Sequence, residues 1–176
     1  MALTGSAARR YAEALMDIAT EEKAVEGFRS SLDSVAAAFS DEFLRVLADP
    51  SSPLERRLKA GEAATKGQPA AVGSVVSMLI ERGRLRLIGA IAAAYGDLAD
   101  ERAGIAKARI TTAVPLPESQ RATFVGRLEK STGKRIQAEF EVEPELIGGA
   151  TVQVGDHLID ASLRAKLDAL REQLQR

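Results

Sequence analysis

Cysteine and tryptophan are absent from this sequence, and histidine occurs once, at His157. Without thiols there is no disulfide, no thiolate nucleophile and no cysteine-ligated zinc, a usage compatible with a reducing compartment. Aromatic side chains make up only 4% of the chain, so alanine and leucine supply most of the apolar surface. Such Ala-rich amphipathic segments favour closely packed helices, because Ala costs least helix entropy. Neither sign of charge is in excess, with 24 Lys and Arg against 25 Asp and Glu. That balance lacks the basic footprint on which phosphate-backbone binding depends, and no nucleic-acid partner is expected. Long hydrophobic runs are missing too. The longest uncharged stretch, Gly67 to Ile80, has 14 residues and contains Pro69, against about 20 for a membrane-spanning helix. No span is expected. Arg9 and Arg10 stand where a secretion signal carries its charge, but Glu13 and Asp17 interrupt the apolar core such a signal needs, and the N-terminus is read as mature structure.

What the sequence does contain, 45% hydrophobic and 28% charged residues over 176 positions, is the balance of a folded protein with one medium domain or two small ones. Its first half repeats at helical spacing. Tyr11, Ala14, Leu15 and Ile18 fall at i, i+3, i+4 and i+7 and predict a first helix with those residues on its apolar face. Val25, Phe28, Leu32, Val35 and Phe39 form a second, longer seam that stops near Ser40-Asp41. A short third helix carries Phe43, Leu44 and Leu47 into Asp49-Pro50. Ser52-Pro53-Leu54-Glu55 reads as a capped start to a fourth, with Leu54 and Leu58 inward. A fifth follows Pro69, with Val72, Val75, Val76 and Leu79 inward and Gly83 ending it in a left-handed conformation. Ile88, Ile91, Tyr95 and Leu98 mark a sixth.

After Gly104 the period changes from 3.6 to 2. Ala106, Ala108, Ile110, Thr112 and Val114 alternate with polar positions and predict a strand ended by Pro115. A helix through Phe124, Val125 and Leu128 closes at Gly133, and Ile136, Ala138, Phe140 and Val142 form a second strand. Val152 and Val154 lead through Gly155-Asp156 to Leu158 and Ile159, a hairpin whose register the sequence leaves open. Asp160 caps a final helix bearing Leu163, Leu167, Leu170 and Leu174. The expected fold class is α plus α/β: an N-terminal six-helix bundle over residues 1–104, followed by a smaller mixed αβ domain over residues 105–176.

Reacting groups do not converge in this reading. His157 lies near Asp156 and Asp160, but adjacent strand positions point to opposite faces, so a metal triad is not expected. Gly133-Lys134 lacks the earlier glycine and the following Ser or Thr of a phosphate loop, and a helix-ending glycine is the better reading. Glu139, Glu141 and Glu143 repeat with period 2 as a solvated strand face. Arg82, Arg84 and Arg86, with Arg56, Arg57 and Lys59, form basic clusters read as ordinary surface near helix ends. No cofactor and no metal site is expected.

Several segments together resemble one family. Arg10-Tyr11-Ala12-Glu13-Ala14-Leu15 resembles the opening of ATP synthase delta subunits and of their mitochondrial counterpart, the oligomycin sensitivity-conferring protein. Leu79-Ile80-Glu81-Arg82-Gly83-Arg84-Leu85 is similar to that family's junction between fifth and sixth helices, where many members carry Asn in place of Arg82. Glu143-Pro144-Glu145-Leu146-Ile147-Gly148-Gly149, Val152-Gln153-Val154-Gly155-Asp156 and Leu158-Ile159-Asp160-Ala161-Ser162-Leu163-Arg164 are similar to its closing hairpin and helix. The signature positions are Gly148, Gly149, Gly155, Asp156, Asp160, Ser162 and Arg164. Ala161 stands where glycine is commoner, and Leu163 where valine is.

The resemblance implies a non-catalytic peripheral-stalk subunit of an F-type ATP synthase, one copy per complex, at the cytoplasmic face of the bacterial plasma membrane. It implies that the helical domain holds N-terminal segments of the alpha subunits and that the αβ domain engages b-type stalk subunits. An alpha helix would then lie in a groove between the first and fifth helices. Tyr11, Ala14, Leu15, Val75, Met78 and Leu79 are the candidates that line or support this groove, core filling being the other reading for the branched ones. The alternative is a generic helical adaptor or protein-binding module, which would bind its target with no ATP synthase subunit present.

Overall fold

The computed structural model describes residues 2–49, 51–146, 148–155 and 157–160. These hold seven α-helices and four strands, an α plus β architecture. The chain divides into two compact units, Met1–Asp100 and Glu101–Arg176.

In the first unit, α1 (Ala2–Glu21), α2 (Val25–Ala38), α3 (Asp41–Ala48), α4 (Leu54–Ala64), α5 (Ala70–Glu81) and α6 (Ile88–Arg102, whose last residues pass the division) follow one another through short connections. A 3-10 turn, Leu85–Leu87, precedes α6, and it places Leu85 and Leu87 in the core. Phe28, Leu32, Val35, Val72, Val76, Leu79, Ile91 and Tyr95 are almost wholly excluded from solvent. Each such side chain stabilises the fold by about 1.5–3 kcal/mol relative to exposure.

Helix ends follow local chemistry. Ser40 accepts from the Phe43 N–H and caps α3. At the end of α5 the Arg84 N–H donates to Leu79 and the Gly83 N–H to Ile80, a complete Schellman closure around Gly83 at φ +63°. The end of α1 closes in the same way, Ala24 donating to Ala19 and Lys23 to Thr20, but with Lys23 in the left-handed position at φ +54°.

The structure corrects several expectations. The buried stripe of α1 is Ala8, Ala12, Leu15, Met16 and Ala19, while Ala14 and Ile18 are exposed and Tyr11 is half-buried. Alanine at three of the five buried positions lets α1 pack closely, and Tyr11 and Ile18 fall on its flank. Ser52 makes no cap, because α4 begins after Pro53, whose carbonyl accepts from Arg56 and Arg57. The turn before α4 is instead organised by Asp49, whose carboxylate accepts from the Ser51 N–H; this bond holds its pKa below the usual aspartate range. Leu54, on the first turn of α4, is exposed.

One polar link ties the helices across the sequence. Arg29 on α2 donates to Asp100 on α6 at 2.7 Å, with the aspartate side chain 6% exposed and the arginine 30%. The Asp100 hydrogen bond raises the Arg29 pKa. The Tyr95 hydroxyl donates to the Val25 carbonyl at 3.0 Å, so this buried aromatic keeps its polar tip satisfied.

The second unit is a four-stranded mixed sheet in the order β2-β1-β3-β4. β1 (Ile105–Thr112) and β2 (Arg135–Val142) run parallel with α7 (Glu118–Thr132) as the crossover. β3 (Ala150–Val154) lies antiparallel to β1, and β4 (His157–Asp160) antiparallel to β3. The register puts Ile136, Ala138 and Phe140, Ala106, Ala108 and Ile110, Val154 and Val152, and Ile159 on one face. Ala108, Ile110, Thr112, Ile136, Ala150 and Val152 are its buried residues. Val114 lies beyond β1 and is exposed; the strand stops at Thr112, whose hydroxyl donates to the Val114 carbonyl and bends the chain. Gly133 ends α7 at φ +67°, and Gly155 opens the hairpin turn at φ +56°. The expected final helix lies outside the described residues.

Candidate functional site

The polar groups weighed for chemistry are dispersed. His157 is exposed at the start of β4, Asp160 ends that strand, and Asp156 lies outside the described residues. Among the described residues no group of three or more His, Cys, Asp or Glu is placed to hold a metal ion, and no helix is long and apolar enough to cross a membrane. Gly133-Lys134 follows a helix and precedes a strand, the reverse of the strand-to-helix order that a phosphate loop requires. Glu139 and Glu141 flank Arg109 across the parallel pair at 3.8 and 3.5 Å. All three are well exposed, so these pairs stabilise the sheet little.

What the first unit offers is an apolar flank. Tyr11, Ala14 and Ile18, at i, i+3 and i+7, line one side of α1, beside the buried stripe rather than in it. On α5, which packs against α1, Val75 is half-buried and Met78 is 39% exposed. Leu15 and Leu79, the remaining groove candidates, are fully buried, so they support the flank from beneath. Ile18, 37% exposed, joins the surface set that the sequence reading had turned inward. Its spacing from Ala14 was visible, but periodicity alone does not separate a flank from a core stripe.

The second unit also keeps apolar surface. Ile159 and Val142 are 57% and 47% exposed on the face whose centre is buried, and Leu158 is 67% exposed on the other. α7 buries none of its residues completely, although the Arg121 guanidinium stacks over Phe140 at 5.2 Å. The signature glycines shape this region. The Gly148 N–H donates to the Leu146 carbonyl, Gly149 has φ +86° just before β3, and Gly155 turns the hairpin. Ser162 and Arg164 lie outside the described residues.

A helical unit and an αβ unit, each with apolar surface exposed among the described residues, make an architecture suited to docking. Residues 7–174 match the family model of the ATP synthase delta (OSCP) subunit, and the chain belongs to that family. It is similar to the ATP synthase subunit delta of Geobacter metallireducens, 34% identical over 99% of both chains. The subunit delta of an Anaeromyxobacter species is 37% identical over 98% of this chain and 99% of its own. That of Myxococcus xanthus is 34% identical over 97% of each. Among solved structures, a chain of the Toxoplasma gondii mitochondrial ATP synthase hexamer shares the fold, with a TM-score of 0.69 over 96% of this chain and 97% of its own at 20% identity. The protein is thus a structural subunit of the F-type ATP synthase peripheral stalk and not a catalyst.

Proposed function

We propose that this subunit joins the catalytic head to the stalk. Residues 1–104 act as a six-helix bundle that holds N-terminal segments of the alpha subunits. Residues 105–176 engage b-type stalk helices. One copy serves each complex, at the cytoplasmic face of the bacterial plasma membrane. A stator resists the rotor's torque by stiffness, so its chemistry is that of packed interfaces, and the coupling of proton-driven rotation to ATP synthesis depends on their strength.

The observation that carries this reading is the flank of Tyr11, Ala14 and Ile18 on α1 with Val75 and Met78 on α5. An amphipathic helix laid against it places its apolar anchors at i, i+3, i+4 and i+7. Ala14 is the discriminating position. It is exposed, so Ala14→Asp leaves the free subunit's carboxylate solvated and lowers its melting temperature only by the roughly 2–5 °C that the weaker helix propensity of Asp costs. Under a docked helix the same carboxylate is buried without a partner, which costs about 2–3 kcal/mol or more, roughly a 30- to 150-fold loss of affinity. Titration of the full chain with a peptide of the alpha N-terminus measures this. Wild-type affinity in a normally folded variant places the contact elsewhere. For the second unit, the exposed Ile159 and Val142 beside a buried sheet face support docking of the stalk helices.

A further inference from the structure

Met78 belongs to a second surface as well. Between α4 and α5 runs a groove of about 450 Å³, to which α5 contributes Ser74, Ser77, Met78 and Glu81, α4 contributes Glu62, and Thr65 follows at the end of α4. The α5 residues fall at i, i+3, i+4 and i+7, a single face of the helix. The carboxylates of Glu62 and Glu81 are exposed and have no ion-pair or hydrogen-bond partner among the described residues, although Lys66 and Arg82 stand on the same segments. The Thr65 hydroxyl donates to the Gly61 carbonyl and the Ser74 hydroxyl to the Ala70 carbonyl, both at 3.0 Å. Each therefore turns only oxygen lone pairs outward. The Ser77 hydroxyl is half-buried and makes no hydrogen bond among the described residues. The groove thus offers two carboxylates, the acceptor oxygens of Thr65 and Ser74, and a Ser77 hydroxyl able to accept as well as donate, with the Met78 thioether as an apolar wall.

A Lys or Arg side chain matches these features together: donors only at its tip, positive charge, and an aliphatic stem that packs on apolar surface. We infer that the α4–α5 groove receives a basic side chain of the same alpha helix that docks along α1 and α5, Met78 being shared between the two surfaces. This rests on the docking reading given above and adds the charge of the partner to it. The carboxylates are exposed, so each pair is worth about 0.2–1 kcal/mol, up to about fivefold in affinity.

The test uses the full-length chain, a labelled peptide of the cognate alpha N-terminus, and the same peptide with every Lys and Arg replaced by Gln. The double variant Glu62→Gln, Glu81→Gln should melt as wild type does and bind the native peptide about two- to thirtyfold more weakly at low salt, a difference that fades as salt is raised. The Gln-substituted peptide should bind wild type and double variant alike. Equal binding of the native peptide to wild type and double variant, with Ala14→Asp still impaired, overturns the basic-side-chain inference and leaves the docking flank standing. A native peptide that binds no form of the chain, or that lacks Lys and Arg altogether, overturns it too, and the first of these results takes the docking reading with it.

Discussion

Gly61 supplies the sharpest test of how α4 and α5 are held. A methyl group added there would clash with Ile80 Cδ1 and lie 3.5 Å from Val76 Cγ1, both on α5. Ile80 is 1% exposed, so its terminal methyl has closely packed neighbours and little room to retreat. Gly→Ala in a helix interior by itself stabilises by about 1 kcal/mol. Overpacking of a core costs about 1–3 kcal/mol. The clash therefore wins by about 1 kcal/mol, and Gly61→Ala should lower the melting temperature by about 4–8 °C for a unit of this size. Gly73, on α5, is the control, because a methyl group there meets only Thr65 Oγ1 at an ordinary 3.5 Å. Gly73→Ala should raise the midpoint by a similar amount. Thermal unfolding followed by circular dichroism reads both. Ile80→Val completes the cycle: alone it costs about 0.5–1.5 kcal/mol, but in the Gly61→Ala background it removes the clashing methyl and should cost less or nothing. A rise in midpoint for Gly61→Ala refutes the close approach of these helices.

Two further perturbations act on the same unit. Arg29→Met should leave the carboxylate of Asp100 without its arginine and destabilise by about 2 kcal/mol; this is below the 3–5 kcal/mol typical of breaking a buried pair, since the Arg29 side chain is 30% exposed. An unchanged urea midpoint would show that water replaces the guanidinium freely. Lys23→Gly relieves a left-handed conformation that costs a side chain about 1–2 kcal/mol, and a midpoint no higher than wild type in the same assay would contradict the closure seen at the end of α1.

Much of this architecture was legible because the physical signal was strong. The change of period after Gly104 separates helices from strands, and Gly83, Gly133 and Gly155 mark turns that need positive φ. Strand order was not legible. Parallel pairing of β1 with β2 is decided by the crossover of α7 and by which faces must be covered, not by the alternation within either strand. The Arg29–Asp100 link spans 71 positions and has no local signature. Ser52-Pro53-Leu54-Glu55 carried the composition of a cap, but Asp49 forms the turn before α4 and leaves the Ser52 hydroxyl without that role.

The misread face of α1 bears on function. Periodicity puts Tyr11, Ala14, Leu15 and Ile18 on the apolar face, and of these only Leu15 is buried; the core takes it with Ala8, Ala12, Met16 and Ala19. A helix that serves only its own core gains by burying its largest apolar side chains, since burial is worth about 25 cal/mol per Å². α1 buries Leu15 and Met16 together with three alanines but keeps Ile18 exposed and Tyr11 half-buried at the rim, and α5, whose core residues are Val72, Val76, Leu79 and Ile80, keeps Met78 39% exposed. Apolar surface left uncovered at such a rim gains its free energy only when something covers it. Rules of sequence reading tend to fail where a chain is built for a task other than its own folding. The offset between the expected and the observed stripe of α1 therefore supports the docking proposed above, in which α1 has two apolar partners, its own unit and a docked helix.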